Sequence, residues 1–139
     1  MAKKFLKTFE ILSNKAVVDL NVAIITLESY EKGDIELDLE VVFFHLQQCS
    51  EKLIKSLLDL NKIKFPHTHD LENLINLLEE NNIQSIENIN DLIPLSEYAV
   101  DGRYAVLHDD MEDTNTYINI LKDFIKIIKN KIEEKKWIY

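Results

Sequence analysis

Glycine and proline are scarce in this sequence of 139 residues, which contains only two of each. A β-sandwich or barrel needs many tight turns, so this shortage argues against an all-β fold. The single cysteine, Cys49, excludes an internal disulfide and a cysteine metal motif, and it fits a reducing cytoplasm. No apolar run approaches the roughly 18 to 20 residues of a membrane span, and the charged N-terminus lacks the apolar stretch of a signal peptide. We therefore expect a cytoplasmic protein without a membrane segment.

The balance of charge is acidic, with a formal net charge of -9. That sign argues against a large basic surface for duplex nucleic acid, but it is compatible with a small local site for one phosphate or with a basic partner protein. The plainest interpretation is that the acidic excess keeps the protein soluble. With 46% hydrophobic and 29% charged residues, the composition is that of a globular chain, and residues 1–139 are expected to form a single domain.

Apolar residues recur three and four positions apart along most of the chain, which is the spacing of one face of an α-helix. The pattern predicts an all-α fold, an antiparallel bundle of four to five helices. The expected helices run over about 5–31, about 38–60, from a cap at Thr68 or Asp70 to about 81, from 86 or 90 to 100, and from 109–113 to about 136. Pro94 is expected in the first turn of the fourth helix, where proline is tolerated.

The stretch 44–58 carries unusual polar residues on a helix that must pack. His45, Gln48 and Lys52 share a face, and Glu51 and Lys55 stand in the favourable order for an ion pair four residues apart. Polar atoms need hydrogen-bonding partners when they are buried. The alternative interpretation is a bundle helix whose polar side meets solvent or a partner chain.

A second polar segment, 66–71, contains His67, His69 and Asp70. Two histidines and an aspartate suggest a metal, but no second cluster supplies the further ligands of a closed zinc site. Capping of the next helix by Thr68 or Asp70 explains the segment equally well. The sequence therefore predicts neither a metal site nor a cofactor.

The third segment holds Arg103 and His108 with four residues between them. In one regular helix these side chains would point about 140° apart, whereas in a loop leading into a helix they can converge. Arginine can clamp a phosphate with two hydrogen bonds, and histidine can transfer a proton near neutral pH. RNA can be cleaved through its 2′-hydroxyl by such a pair without an obligatory metal. The spacing alone does not distinguish this site from a chance pair.

Taken in this order, the three segments resemble the HEPN family of helical proteins. The first resembles its most specific helix, Phe-His-x-Gln-Gln-x-x-Glu-Lys-x-x-Lys-x-Leu-Leu, with matches at Phe44, His45, Gln47, Gln48, Glu51, Lys52, Lys55, Leu57 and Leu58. A Thr-His-Asp-Leu start of the next helix follows at Thr68, His69, Asp70 and Leu71, and an Arg-Tyr pair precedes the last helix at Arg103 and Tyr104. The resemblance covers roughly 15–131.

The resemblance implies an antiparallel helical bundle that forms homodimers. Many HEPN proteins are metal-independent ribonucleases, and an arginine followed by a histidine after four to six residues lines a cleft between two subunits. Arg103 and His108 fit the shortest form of that motif and are the candidate catalytic residues, while Tyr104, His45 and Gln48 are candidates for binding RNA or nucleotide or for supporting the loop. Such toxins are often paired with a minimal nucleotidyltransferase antitoxin.

Two departures from the family pattern leave two functions open. Asp110 stands where the toxin subgroup has a tyrosine that the antitoxin can modify, and Ala105 stands where members without a useful histidine have a proline. The first function is a toxin-like endoribonuclease, which the spacing of Arg103 and His108 favours. The second is a non-catalytic binding subunit of a nucleotidyltransferase that contacts nucleotide, which the acidic charge and the missing tyrosine favour. The RNA target and the partner are not identified by the sequence.

Overall fold

A computed structural model describes residues 5–33, 39–99 and 111–136. Over these residues the chain forms four α-helices and one 3₁₀ helix: α1 (Thr8–Glu31), α2 (Glu40–Leu60), α3 (Leu71–Glu80), the 3₁₀ helix (Ile89–Tyr98) and α4 (Met111–Lys136). Helices account for 78% of the described residues, and these residues contain no strand. The prediction of an all-α bundle is therefore confirmed.

The bundle is built around α2, which packs against α1, α3, the 3₁₀ helix and α4. Of its 21 residues, 12 are buried, so α2 is covered on nearly every side. Its direction opposes that of α1, because Ser56 near its end donates a 2.8 Å hydrogen bond to the carbonyl of Phe9 near the start of α1. The end of α4 meets the same region through a 2.9 Å hydrogen bond from Lys135 to the carbonyl of Leu60.

The inward faces of the helices follow the predicted apolar pattern closely. In α1 the buried residues Ala16, Leu20, Ala23 and Leu27 lie on the expected stripe, and in α4 the buried set includes Ile120, Leu121, Phe124, Ile128 and Ile132. The predicted first helix, about 5–31, also included Leu6, but α1 begins at Thr8 and Leu6 is exposed. Leu6 therefore lies before the first helical turn, where helical periodicity no longer decides which side chains face inward.

The ends of α1 and α3 carry helix-terminating and capping residues of the usual types. Gly33, at a φ of 73°, follows α1 in the left-handed conformation that glycine adopts without strain. Asp70 rather than Thr68 is the N-cap of α3, because its carboxylate accepts a 3.1 Å hydrogen bond from the backbone N–H of Glu72. Thr68 stabilises the turn just before the helix, since its hydroxyl accepts a 3.1 Å hydrogen bond from the backbone N–H of Asp70.

The fourth element differs from the expected α-helix. It is a 3₁₀ helix, and Pro94 lies in its middle rather than in its first turn. Its buried residues Ile89, Leu92 and Leu95 are three apart, which is the period at which side chains line up in a 3₁₀ helix. Proline also lacks an N–H and clashes with the carbonyl four residues earlier in an α-helix. Both features favour the tighter helix here.

The cap of α3 gives a direct test of this local structure. Replacing Asp70 by Ala removes the acceptor for the N–H of Glu72, and we expect the free energy of unfolding to fall by about 1 kcal/mol. Asp70→Asn keeps a side-chain oxygen at the same position and should retain most of the stability. Urea unfolding followed by circular dichroism measures both variants, and equal losses in the two would contradict the capping role.

Candidate functional site

A carboxylate of α1, Asp19, binds two residues of α2 from the family-like segment. Nδ1 of His45 donates to one carboxylate oxygen of Asp19 at 3.1 Å, and the ammonium group of Lys52 donates to the other oxygen. Asp19 is nearly buried, whereas the side chain of His45 keeps 25% of its surface exposed. His45 and Lys52 therefore act on one face of α2, as the sequence predicted, and their common partner lies on α1.

A second polar network surrounds Glu51, whose side chain is only 7% exposed. One oxygen accepts from Nδ1 of His69 at 2.8 Å and from the amide of Gln47 at 3.1 Å. The other oxygen accepts from Lys55 at 3.0 Å, so the predicted ion pair between Glu51 and Lys55 is present. The network ties α2 to the segment just before α3, and Gln47 strengthens the tie with a 3.2 Å bond to the carbonyl of His69.

Gln48 joins this second network rather than the first. Its amide donates a 2.7 Å hydrogen bond to the side-chain oxygen of Gln47. His45 and Gln48, which the sequence grouped as candidate binding residues, thus belong to different hydrogen-bond networks on α2. Both side chains are half-buried and already have protein partners.

Cys49 lies between the two networks and is fully buried. Burial raises the pKa of the Cys49 thiol, and the negative charge of Asp19 raises it further against the opposing effect of Lys52. A thiol must ionise to act as a nucleophile or a metal ligand. Cys49 is therefore a packing residue and not a reactive group.

The pKa of Glu51 shifts in the opposite direction to that of Cys49. Burial by itself would raise the pKa of the Glu51 carboxyl group, but hydrogen bonds from His69, Lys55 and Gln47 outweigh burial and lower it. The carboxylate is consequently ionised at neutral pH. It serves as the centre of a structural network and not as a proton donor.

The candidate catalytic residues Arg103 and His108, together with Tyr104, lie outside the described residues. Their segment joins the 3₁₀ helix to α4, and the described residues on either side pack at the start of α2. The ring of Phe43 stacks on Tyr98 with 4.8 Å between centroids, and it meets Tyr117 edge-on at 6.1 Å. These aromatic contacts hold the 3₁₀ helix and α4, the two elements that the segment joins, against α2.

Comparison with protein families decides the relationship that the three segments suggested. The HEPN domain family matches residues 9–132. The chain belongs to the HEPN family. No curated protein and no solved structure matches it. The match covers α2, α3, the 3₁₀ helix, nearly all of α1 and most of α4, as well as the segment with Arg103 and His108, so this HEPN domain occupies most of the chain.

The described part of this HEPN chain contains neither a membrane-spanning helix nor a cluster of metal ligands. None of its helices is long and apolar enough to cross a membrane. No three His, Cys, Asp or Glu side chains within 5–33, 39–99 and 111–136 are grouped so that they could hold a metal ion. Of the residues first considered for a metal, His69 instead bonds Glu51, and Asp70 caps α3.

Asp19 is the residue that sequence reasoning missed. It is the only acidic residue between Glu10 and Glu28, and it stands on the apolar side of the helix next to Leu20. An isolated carboxylate on a face that must be buried requires a cationic partner. That signal pointed to a cross-helix ion pair, but it could not identify Lys52, which is 33 residues away.

The lowered pKa of Glu51 predicts how stability depends on pH. Because the folded-state pKa is below the usual value of 4.5, ionised Glu51 stabilises the fold above that pH. This contribution is lost as the pH falls through the lower, folded-state pKa. We expect Glu51→Gln to reduce the free energy of unfolding by about 2 kcal/mol at neutral pH, with a smaller difference in acid.

The matched control is Glu79→Gln, which removes an exposed carboxylate from α3. Its stability should follow the wild-type curve over the same acid range. Urea unfolding at a series of pH values measures all three proteins. A difference between wild type and Glu51→Gln that stayed constant from neutral to strongly acidic pH would contradict the assignment.

Proposed function

We propose that this HEPN protein is a homodimeric, metal-independent endoribonuclease of the toxin type, restrained by a minimal nucleotidyltransferase. The observation that carries the proposal is the Arg103–His108 pair inside the family match, in the segment that leads into α4. The spacing fits the shortest form of the arginine–histidine motif of ribonucleases in this family. The aromatic contacts of Phe43 support the proposal, because they hold the 3₁₀ helix and α4, the two elements that the segment joins, against α2.

The proposed chemistry is transesterification within the RNA strand. His108 of one subunit takes the proton of the 2′-hydroxyl, whose oxygen then forms a bond to the adjacent phosphorus. The bond from phosphorus to the 5′-oxygen breaks, and the second subunit's histidine returns a proton to that leaving oxygen. Arg103 binds the phosphate and stabilises the negative charge that grows on it in the transition state. Tyr104 stacks on a base or supports the loop.

A dimer is supported by an unpartnered apolar stripe on α1. Ile11, Val18 and Ile25 follow each other at intervals of seven and keep 41%, 59% and 63% of their surfaces exposed. Residues seven apart drift by only about 20° around a helix, so the three side chains form one line along α1. The opposite side of α1 is already buried against α2. The stripe is consequently a second apolar face, and a second copy of this chain would cover it symmetrically.

The direction of the paired α1 helices decides whether the two candidate sites share a cleft. If the helices run parallel, the starts of both α4 helices, into which the segments with Arg103 and His108 lead, come to the same end of the dimer. If they run antiparallel about Val18, the two α4 starts lie at opposite ends. The proposed two-histidine chemistry therefore requires the parallel arrangement.

A non-catalytic binding subunit is the second candidate function. It is favoured by the carboxylates near the motif in the sequence, since Asp101, Asp109, Asp110, Glu112 and Asp113 would repel an RNA phosphate. Asp110 also replaces the tyrosine that an antitoxin could modify, so any restraint by the nucleotidyltransferase would act through binding. In this alternative the protein is a nucleotide-contacting partner of the nucleotidyltransferase and does not cut RNA.

The nuclease proposal predicts cleavage of single-stranded RNA in the presence of EDTA. Replacing His108 or Arg103 by Ala should slow cleavage by about 100- to 10,000-fold, because each variant loses a proton-transfer or charge-stabilising group. His67→Ala is the matched control, since His67 is exposed and lies outside the motif. Intact RNA after incubation with wild type, or cleavage by His108→Ala at the wild-type rate, would favour the binding subunit.

The α1 stripe predicts how the dimer can be broken. Val18→Glu places a charge at the centre of the stripe and should convert the dimer to monomer at micromolar concentration. Asn73→Glu adds the same charge to an exposed position on α3 and should leave the dimer intact. Light scattering gives the mass of each protein, and a Val18→Glu dimer would show that another face mediates association.

Disulfide cross-linking between introduced cysteines distinguishes the two directions of pairing. With parallel helices, Ile25→Cys forms a disulfide with its own copy, and so does Ile11→Cys. With antiparallel helices, cross-linking appears only when these two variants are mixed. The buried Cys49 serves as the unreactive background. Cross-linking of the mixture alone would exclude a shared cleft.

A further inference from the structure

The end of the bundle where α2 and α4 terminate carries a basic groove. It consists of three adjoining hollows; the middle one has a volume of about 330 Å³ and shares lining residues with the other two, of about 420 and 330 Å³. We call this surface the lysine groove; its cationic residues are Lys7, Lys62, Lys64, Lys129, Lys135 and Lys136, and its carboxylates are Glu10, Asp59 and Glu133. The groove thus has an excess of three positive charges on a chain whose net charge is -9.

Most of these lysines have no carboxylate partner in the part of the chain that the structure describes. Within the described residues, no carboxylate lies at ion-pairing distance from Lys62, Lys64 or Lys129. Lys136 approaches Glu10 at 3.8 Å and Glu133 at 3.6 Å, both longer than an ordinary hydrogen bond. Lys135 is different, because it donates to the carbonyl of Leu60 and lies over the ring of Phe9.

Compensation of helix dipoles accounts for part of this charge. The ends of α2 and α4 expose carbonyl groups, equivalent to roughly half a negative charge each, and lysines near them are stabilising. Lys135 and Lys136 in the last turn of α4 meet that need. Lys7 precedes α1, at the positive end of a helix dipole, where a cation is unfavourable. Helix stability alone therefore does not explain the cluster.

Aromatic rings interleave with these lysines. Phe9 and Phe65 line the groove, but both are half-buried and each ring is covered by a lysine. Phe5, two residues before Lys7, keeps 84% of its surface exposed and is the ring that a base can reach. Lysines that follow a phosphate backbone, together with rings on which unpaired bases can stack, are the features of surfaces that bind single-stranded nucleic acid. Duplex nucleic acid would need a broader basic surface and would leave the rings unused.

We infer that the lysine groove binds the backbone of single-stranded RNA, at the end of the bundle opposite the start of α4. This deepens the proposed function, and it rests on RNA being the substrate. The two ends of α4 are about 38 Å apart at a rise of about 1.5 Å per residue. The groove is consequently a separate anchoring surface, and its binding can be measured without cleavage.

The test compares RNA binding by groove and control variants in the His108→Ala background, which prevents cleavage during the measurement. The probe is a fluorescently labelled single-stranded RNA long enough to cover the groove, and anisotropy is recorded over a range of salt concentrations. Lys62→Gln combined with Lys64→Gln removes two exposed groove charges. Lys122→Gln combined with Lys126→Gln removes two exposed charges from α4 outside the groove. Lys135 is left unchanged because it supports the fold.

The groove variant should bind roughly tenfold more weakly, and its slope of log K against log salt should be shallower by about 1.4. The control variant should bind as tightly as the background protein. Equal losses in both variants, no RNA binding at low salt, or duplex RNA binding as tight as single-stranded would overturn the inference. If the wild-type protein binds RNA through the groove but leaves the RNA uncut, the nuclease proposal is refuted and the groove proposal stands.

Discussion

The structure depends on one constraint: α2 is covered on nearly every side and yet carries a charged residue at Glu51. A buried carboxylate without partners would cost several kcal/mol, so each of its oxygens must be bound. Lys55 supplies one partner from the next turn, whereas His69 comes from the segment before α3. The need to satisfy Glu51 therefore fixes where the chain returns after α2. Asp19 imposes the same requirement between α1 and α2.

These two networks explain why the family-like segment carries so many polar residues on a packing helix. Gln47 and Ser50 are fully buried, and both have hydrogen-bonding partners within the protein. Among the described residues, no buried side-chain nitrogen or oxygen lacks a partner. The polar residues of α2 thus act first as fixed connections to neighbouring elements. Any binding role of His45 would have to use the quarter of its surface that remains exposed.

Whether an interaction could be predicted from the sequence depended on how far apart its residues lie along the chain. The four α-helices, the cap at Asp70 and the Glu51–Lys55 pair depend on residues within about one or two turns of each other, and all were predictable. The contacts of Glu51 with His69 and of Asp19 with Lys52 depend on tertiary packing, which periodicity does not specify. The 3₁₀ helix was missed because its three-residue apolar spacing also occurs in α-helices. For Arg103 and His108, the family pattern gave the reason to propose a catalytic pair, which their spacing alone did not give.

The distribution of charge reconciles an acidic chain with the proposed RNA substrate. Net charge governs long-range attraction, but a phosphate within a few ångströms of a lysine responds mainly to nearby charges because salt screens the rest beyond about 8–10 Å. The lysine groove is separated from the start of α4 by most of the length of that helix. RNA could therefore be held at the basic end while the acidic surroundings of Arg103 weaken binding there. A substrate anchored in this way would reach the candidate site only if the strand extended along the bundle, so selectivity would arise from length and single-strandedness before any base was recognised.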